Sequence, residues 1–84
     1  MTAVVTVRYF AGARAAAGVR EEKLPAAGSD REQLTAVLAA RHGVRLEKIL
    51  GAATLLVDGV AWRDPAHKLP EGAVVDVLPP FAGG

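Results

Sequence analysis

Cysteine is absent from the 84 residues. That excludes disulfides, a thiolate metal site and a cysteine nucleophile. Any sulfur chemistry must place its sulfur on something other than a thiol. Aromatic residues are few: one Trp, one Tyr and two Phe. They are spread over different segments and make no stacking platform for nucleic acid. Charge of one sign is lacking too. Ten basic and nine acidic side chains interleave to a net +1. Neither a nucleic-acid patch nor an electrostatic membrane anchor follows from that balance. No apolar run approaches the ~18 residues of a membrane span, and no basic-plus-apolar leader is visible. The expectation is a soluble, cytoplasmic protein with no nucleic-acid or membrane partner.

Side-chain chemistry is equally sparse. His42 and His67 stand in unrelated contexts, a helix end and a polar loop, and their spacing suggests no metal site. Ser29 has no local base to activate it. The glycines fall singly at turns and caps, with no phosphate-loop spacing. Glu21, Glu22 and the remaining charges read as a solvated surface. The chain carries no recognisable catalytic pocket of its own, and any activity must be shared with a partner.

What is present is a small globular domain, 51 % hydrophobic and 23 % charged. At this length it buries a little over ~60 % of its unfolded surface. Residues 3–10, AVVTVRYF, read as a strand rich in β-branched and aromatic residues. Period two puts Val5, Val7 and Tyr9 on the core face and Thr6, Arg8 and Phe10 on the other. Phe10 either stays on that outer side or turns into the core at the strand end. Residues 11–17 favour a short helix, closed by Gly18 in a left-handed conformation. Residues 19–24 read as a charged edge strand.

After a turn at Pro25–Gly28, Ser29 and Glu32 have the spacing of a capping box. It opens a helix from about Asp30 to His42, with Leu34, Val37 and Leu38 as its buried stripe. Gly43 stops it, and Val44 is placed for the hydrophobic contact of a Schellman end. Residues 44–51 read as irregular, with one turn around Glu47–Leu50. Residues 54–62 read as a hairpin about a type I′ turn at Asp58-Gly59. Leu69 points inward from the next loop. The last strand, residues 73–78, sets Val75 and Val77 on one face and Val74, Asp76 and Leu78 on the other. The order is that of an α+β fold with one main helix.

The closing residues are Leu78-Pro79-Pro80-Phe81-Ala82-Gly83-Gly84. Two prolines end the sheet, because neither has a backbone N–H to donate. Gly83 and Gly84 give a tip able to enter a slot that any Cβ would block. Residues 1–78 then form the domain and residues 79–84 an extended tail, reaching roughly 20 Å at ~3.3 Å per residue.

The opening VRYFAGARAAAG of residues 7–18, Leu56-Val-Asp-Gly59, Pro70-Glu-Gly72 and the closing LPPFAGG together resemble the MoaD/ThiS family of sulfur carriers. Within it they are most similar to the small subunits of molybdopterin synthase. The resemblance implies a ubiquitin-like β-grasp, a mixed sheet on one main helix plus a short helix after the first strand. It also implies a chemistry in which no cofactor is bound. An E1-like, MoeB-like adenylyltransferase uses ATP to adenylate the carboxylate of Gly84. A sulfur donor protein converts the adduct to a thiocarboxylate. The tail, Pro79, Pro80, Phe81, Ala82 and Gly83, carries it into a MoaE-like large subunit, where sulfur passes to cyclic pyranopterin monophosphate.

In a β-grasp the first and last strands lie side by side and parallel. Phe10 and Leu78 then share a face. With Phe81 they are the expected apolar docking patch, with Trp62 either at its margin or in the core. Family members often have Asn where Asp58 stands, and the residue at Phe81 varies. A carrier for cysteine synthesis and a ubiquitin-like protein modifier remain open. The thiamine carriers are usually shorter and lack the helix of residues 11–17, which disfavours them.

Overall fold

The structure, a computed structural model, describes residues 3–80. Its elements are β1 (Val5–Tyr9), α1 (Ala11–Ala17), β2 (Glu21–Leu24), α2 (Arg31–His42), α3 (Val44–Ala52), β3 (Thr54–Val57), β4 (Val60–Ala61) and β5 (Val74–Leu78). The strands form one sheet in the order β2-β1-β5-β3-β4. Only β1 and β5 are parallel, with Arg8 opposite Asp76 and Tyr9 opposite Val77. All other neighbours are antiparallel. The first and last strands thus share the centre of a mixed sheet, and the fold is the β-grasp.

Alternation in the strands selects the covered face. Val5, Val7, Tyr9, Leu55, Val75 and Val77 are buried in one cluster with Ala13, Leu34, Leu38, Leu46 and Leu50 from the three helices. The expected core face of β1 is the observed one. Trp62 joins the same core, 3 % exposed, with its indole N–H donating to the carbonyl of His67. Leu69 packs inward as its loop position suggested.

Three local readings need correction. The capping box on α2 is built one residue later, from Asp30 and Gln33. Gln33 N–H donates to Asp30 Oδ1 at 2.8 Å, and Asp30 N–H donates to Gln33 Oε1 at 2.9 Å. Both residue pairs satisfy the motif. The carboxylate is the better partner for the positive helix end, and the Ser29 backbone is held elsewhere, between Ala26 and Leu69.

Residues 44–52 form a regular helix rather than an irregular segment. Its stripe of Leu46, Ile49 and Leu50 has helical spacing, but no side chain caps it and Gly51 lies inside it. Gly43 ends α2 and begins α3 at once, accepting from Glu47 N–H and donating to Ala39. Its φ of 97° explains why glycine stands there. Val44 therefore makes no Schellman contact and is 64 % exposed.

The third correction follows from α3. It lies against α2, with Thr35 and Ala39 lining the depression between the two helices on the side away from Val37. Val37 is 41 % exposed, while Leu34 and Leu38 are fully buried.

The hairpin has the expected turn. Asp58 and Gly59 have φ values of 49° and 84°, as a type I′ turn requires. The Asp58 carboxylate also accepts from Val74 N–H at 2.9 Å and fixes the hairpin against β5.

Candidate functional site

The parallel pairing of β1 and β5 brings their C-terminal ends together. One step beyond Tyr9 and Val77, Phe10 comes alongside Leu78. There Phe10 stays on the outer side, 40 % exposed, and Leu78 is half-buried. Between them opens a groove of about 670 Å³, lined by Phe10, Ala11, Ile49, Leu78, Pro79 and Pro80, with Thr54 and Gly12 completing it. Thr54 alone among these carries a polar side chain. Ile49 comes from α3, so the helix that the sequence concealed supplies one wall. Two other depressions, of about 500 Å³ between α2 and α3 and about 400 Å³ beside the hairpin, are smaller.

Local backbone geometry sets the groove. Phe10 is extended at the N-cap of α1, and its carbonyl accepts from Ala13 and Arg14. Ala11 then has a φ of 49°, a left-handed conformation that an L-residue adopts at a cost. This abrupt turn after β1 keeps the Phe10 ring beside the sheet end while α1 folds over the core.

Phe10 is also bordered by charge. The guanidinium of Arg8 lies 5.9 Å from the ring centroid. The same group grips Asp76 bidentately, Nε donating to Oδ1 at 2.5 Å and Nη2 to Oδ2 at 2.9 Å. Asp76 raises the pKa of Arg8, through hydrogen bonding first and charge second. Sequence reasoning placed Arg8 and Asp76 on the outer faces of their strands but left them unpaired. The parallel register was the signal that joins them.

Of the residues expected at the docking patch, Phe10 and Leu78 come together and Pro79 and Pro80 extend their groove. Trp62 does not join them. Its burial between the β3–β4 hairpin and the Arg63–Lys68 loop removes it from the surface, so its place at the patch margin is corrected to the core. Phe81, Ala82, Gly83 and Gly84 lie outside the described residues. Among the described residues, no group of His, Cys, Asp or Glu side chains could hold a metal ion. No helix among them is long and apolar enough to cross a membrane.

Similar structures share this architecture. The Pyrococcus furiosus protein assigned as molybdopterin converting factor subunit 1 is 30 % identical with a TM-score of 0.72, over 93 % of this chain and 98 % of that one. Small archaeal modifier protein 1 from Haloferax volcanii is 19 % identical with a TM-score of 0.80, over 96 % and 99 %. Subunit 1 of the Helicobacter pylori molybdopterin-converting factor, solved in complex with subunit 2, is 23 % identical with a TM-score of 0.70, over 96 % and 99 %. At these lower identities the last two speak to the fold alone. No curated protein sequence matches. The sequence profile of the ThiS family matches residues 7–84, nearly the whole chain. With the mixed sheet and its central parallel pair, this shows that the chain belongs to the ThiS family of ubiquitin-like proteins.

Proposed function

We propose that the chain is a sulfur carrier acting as the small subunit of molybdopterin synthase. The observation that carries this reading is the apolar groove of Phe10 and Leu78 at the root of Pro79-Pro80. A docking surface contiguous with the tail lets one binding event deliver the tip into a partner's active site. The identity to the Pyrococcus furiosus subunit supports the molybdopterin branch of the family.

The reacting group is the carboxylate of Gly84. A carboxylate is a poor electrophile. Attack of its oxygen on the α-phosphate of ATP, with loss of pyrophosphate, gives an acyl adenylate with a good leaving group. An E1-like enzyme supplies that step. Sulfide-level sulfur delivered by a donor protein then attacks the acyl carbon, AMP leaves, and the product is a thiocarboxylate. The carrier docks on the large subunit, which holds the pterin and the acid–base groups, and transfers its sulfur to cyclic pyranopterin monophosphate. Nothing in this sequence of steps asks for a cysteine in the carrier.

Intact-mass spectrometry of protein produced with its activating enzyme tests this reading. The expected result is the mass gain of one oxygen replaced by sulfur, located at Gly84. Isopeptide adducts through Gly84 to lysines of other proteins, without that mass gain, would instead assign a protein modifier.

A further inference from the structure

The groove occupies one end of the sheet, but the uncovered sheet face continues from it. The register reads out a row of outward residues across four strands: Glu21, Arg8, Asp76, Leu56. The adjoining row toward the tail is Phe10, Leu78, Thr54. Phe10 belongs to the groove and also touches the first row through Arg8. Groove and face are therefore one continuous surface.

At the middle of this surface lies an ion pair whose partners are unequally exposed. The Arg8 side chain is 47 % exposed and that of Asp76 only 11 %. The carboxylate is covered and the guanidinium reaches solvent. Asp76 occupies Nε–H and one Nη2–H. A guanidinium has five N–H donors in a fixed fork, so the edge away from Asp76 still presents donors. What the face offers a partner is thus a cation, held rigid by Asp76 and set beside an aromatic anchor. The pair neutralises a buried carboxylate and holds its cation at the surface. Its geometry suits recognition, because an Arg pinned in place loses less freedom on binding a second acceptor.

We infer that the docking surface extends from the groove onto the open sheet face, and that the outward edge of Arg8 binds an acidic side chain of the large subunit beside the pocket that receives Phe10. This rests on the proposed function, whose partner it describes more finely. Phe10 and Leu78 supply apolar contact, and Arg8 supplies register and charge selection. Asp76 acts as a positioning residue.

The test measures binding of the full-length chain to its cognate large subunit, across a series of salt concentrations. The variants are Arg8→Gln, the exchange Arg8→Asp with Asp76→Arg, and Phe10→Asp as a reference. Arg8→Gln should weaken binding about tenfold or more and flatten the salt dependence. The exchange keeps a pair of opposite charges, with its unfolding midpoint measured alongside, yet should not recover the affinity. Affinity within about twofold of the parent for Arg8→Gln, at an unchanged salt slope, overturns the inference while Phe10→Asp still abolishes binding. Recovery of affinity by the exchange overturns it as well, since the pair would then act only on the fold. If Phe10→Asp binds normally, the proposed docking itself fails, and this extension with it.

Discussion

The carboxylate of Glu22 on the edge strand β2 lies 2.5 Å from Nε2 of His42 in the last turn of α2. An ionised carboxylate only accepts, so Nε2 carries the hydrogen. The same oxygen accepts from the Tyr9 hydroxyl, and the other from Arg41 Nε at 3.0 Å. An inward-pointing charge on an edge strand thus ties the sheet edge to the helix end, and also discourages strand addition there.

This clasp makes stability depend on pH. Burial pushes the pKa of Glu22 up, but hydrogen bonds from Tyr9 and His42, the charge of His42 and the bond from Arg41 outweigh it, leaving it below 4.5. A carboxyl whose folded pKa is depressed contributes stability above its unfolded value. That stability is lost as pH falls through the folded value. Glu22→Gln should cost about 1–3 kcal/mol at neutral pH. Its deficit should shrink below pH ~4. Urea unfolding at neutral and acid pH measures both. A deficit of equal size at the two pH values would remove Glu22 from the acid response.

Ala11 provides a second stability test. Its left-handed φ of 49° carries a steric cost of about 1–2 kcal/mol, partly offset by the extra chain entropy that glycine would bring. Ala11→Gly should therefore stabilise the domain by about 0.5–1 kcal/mol. Ala11→Val should destabilise it, because a β-branched residue tolerates that conformation worse. A lower denaturation midpoint for Ala11→Gly would show that the conformation is not strained.

Much of this was legible in the sequence, for identifiable reasons. Alternation named the core face of β1 and sorted the two faces of β5, and Asp58-Gly59 named the hairpin, because both signals are local. The docking pair of Phe10 and Leu78 was reachable only by adding the parallel register that the family resemblance implied. Helix α3 was hidden by an uncapped start at Gly43 and a glycine inside it. Its absence from the reading misplaced Val37 and left out Ile49, the third wall of the groove. Glu22 looked solvated because nothing local distinguishes it from Glu21. Only the approach of Tyr9, Arg41 and His42, from β1 and the end of α2, takes it out of water.

The groove yields a binding prediction. Phe10→Asp or Leu78→Asp each places a carboxylate in an apolar depression at the sheet end. Either should weaken docking to the large subunit by about 2 kcal/mol or more, as loss of an interfacial anchor does. Circular dichroism and the unfolding midpoint of Phe10→Asp should stay near those of the parent, since its side chain is already part-exposed. Unchanged affinity in one variant removes that residue from the docking surface.

The last prediction separates docking from delivery. Deleting Gly84, or appending residues after it, displaces the carboxylate on which the proposed chemistry depends. It leaves Phe10, Leu78 and the groove untouched. Such a variant should acquire no thiocarboxylate and transfer no sulfur, yet still bind the large subunit far better than Phe10→Asp does. Gly84→Ala is the finer probe. It retains a terminal carboxylate but adds a Cβ at the tip, so it should bind well and react slowly wherever the slot admits only glycine. Single-turnover sulfur transfer, measured beside affinity, resolves the two effects. Full transfer by the protein lacking Gly84 would exclude that carboxylate as the reacting group. Lost binding together with lost transfer would mean that the tail, rather than the groove, supplies most of the docking energy.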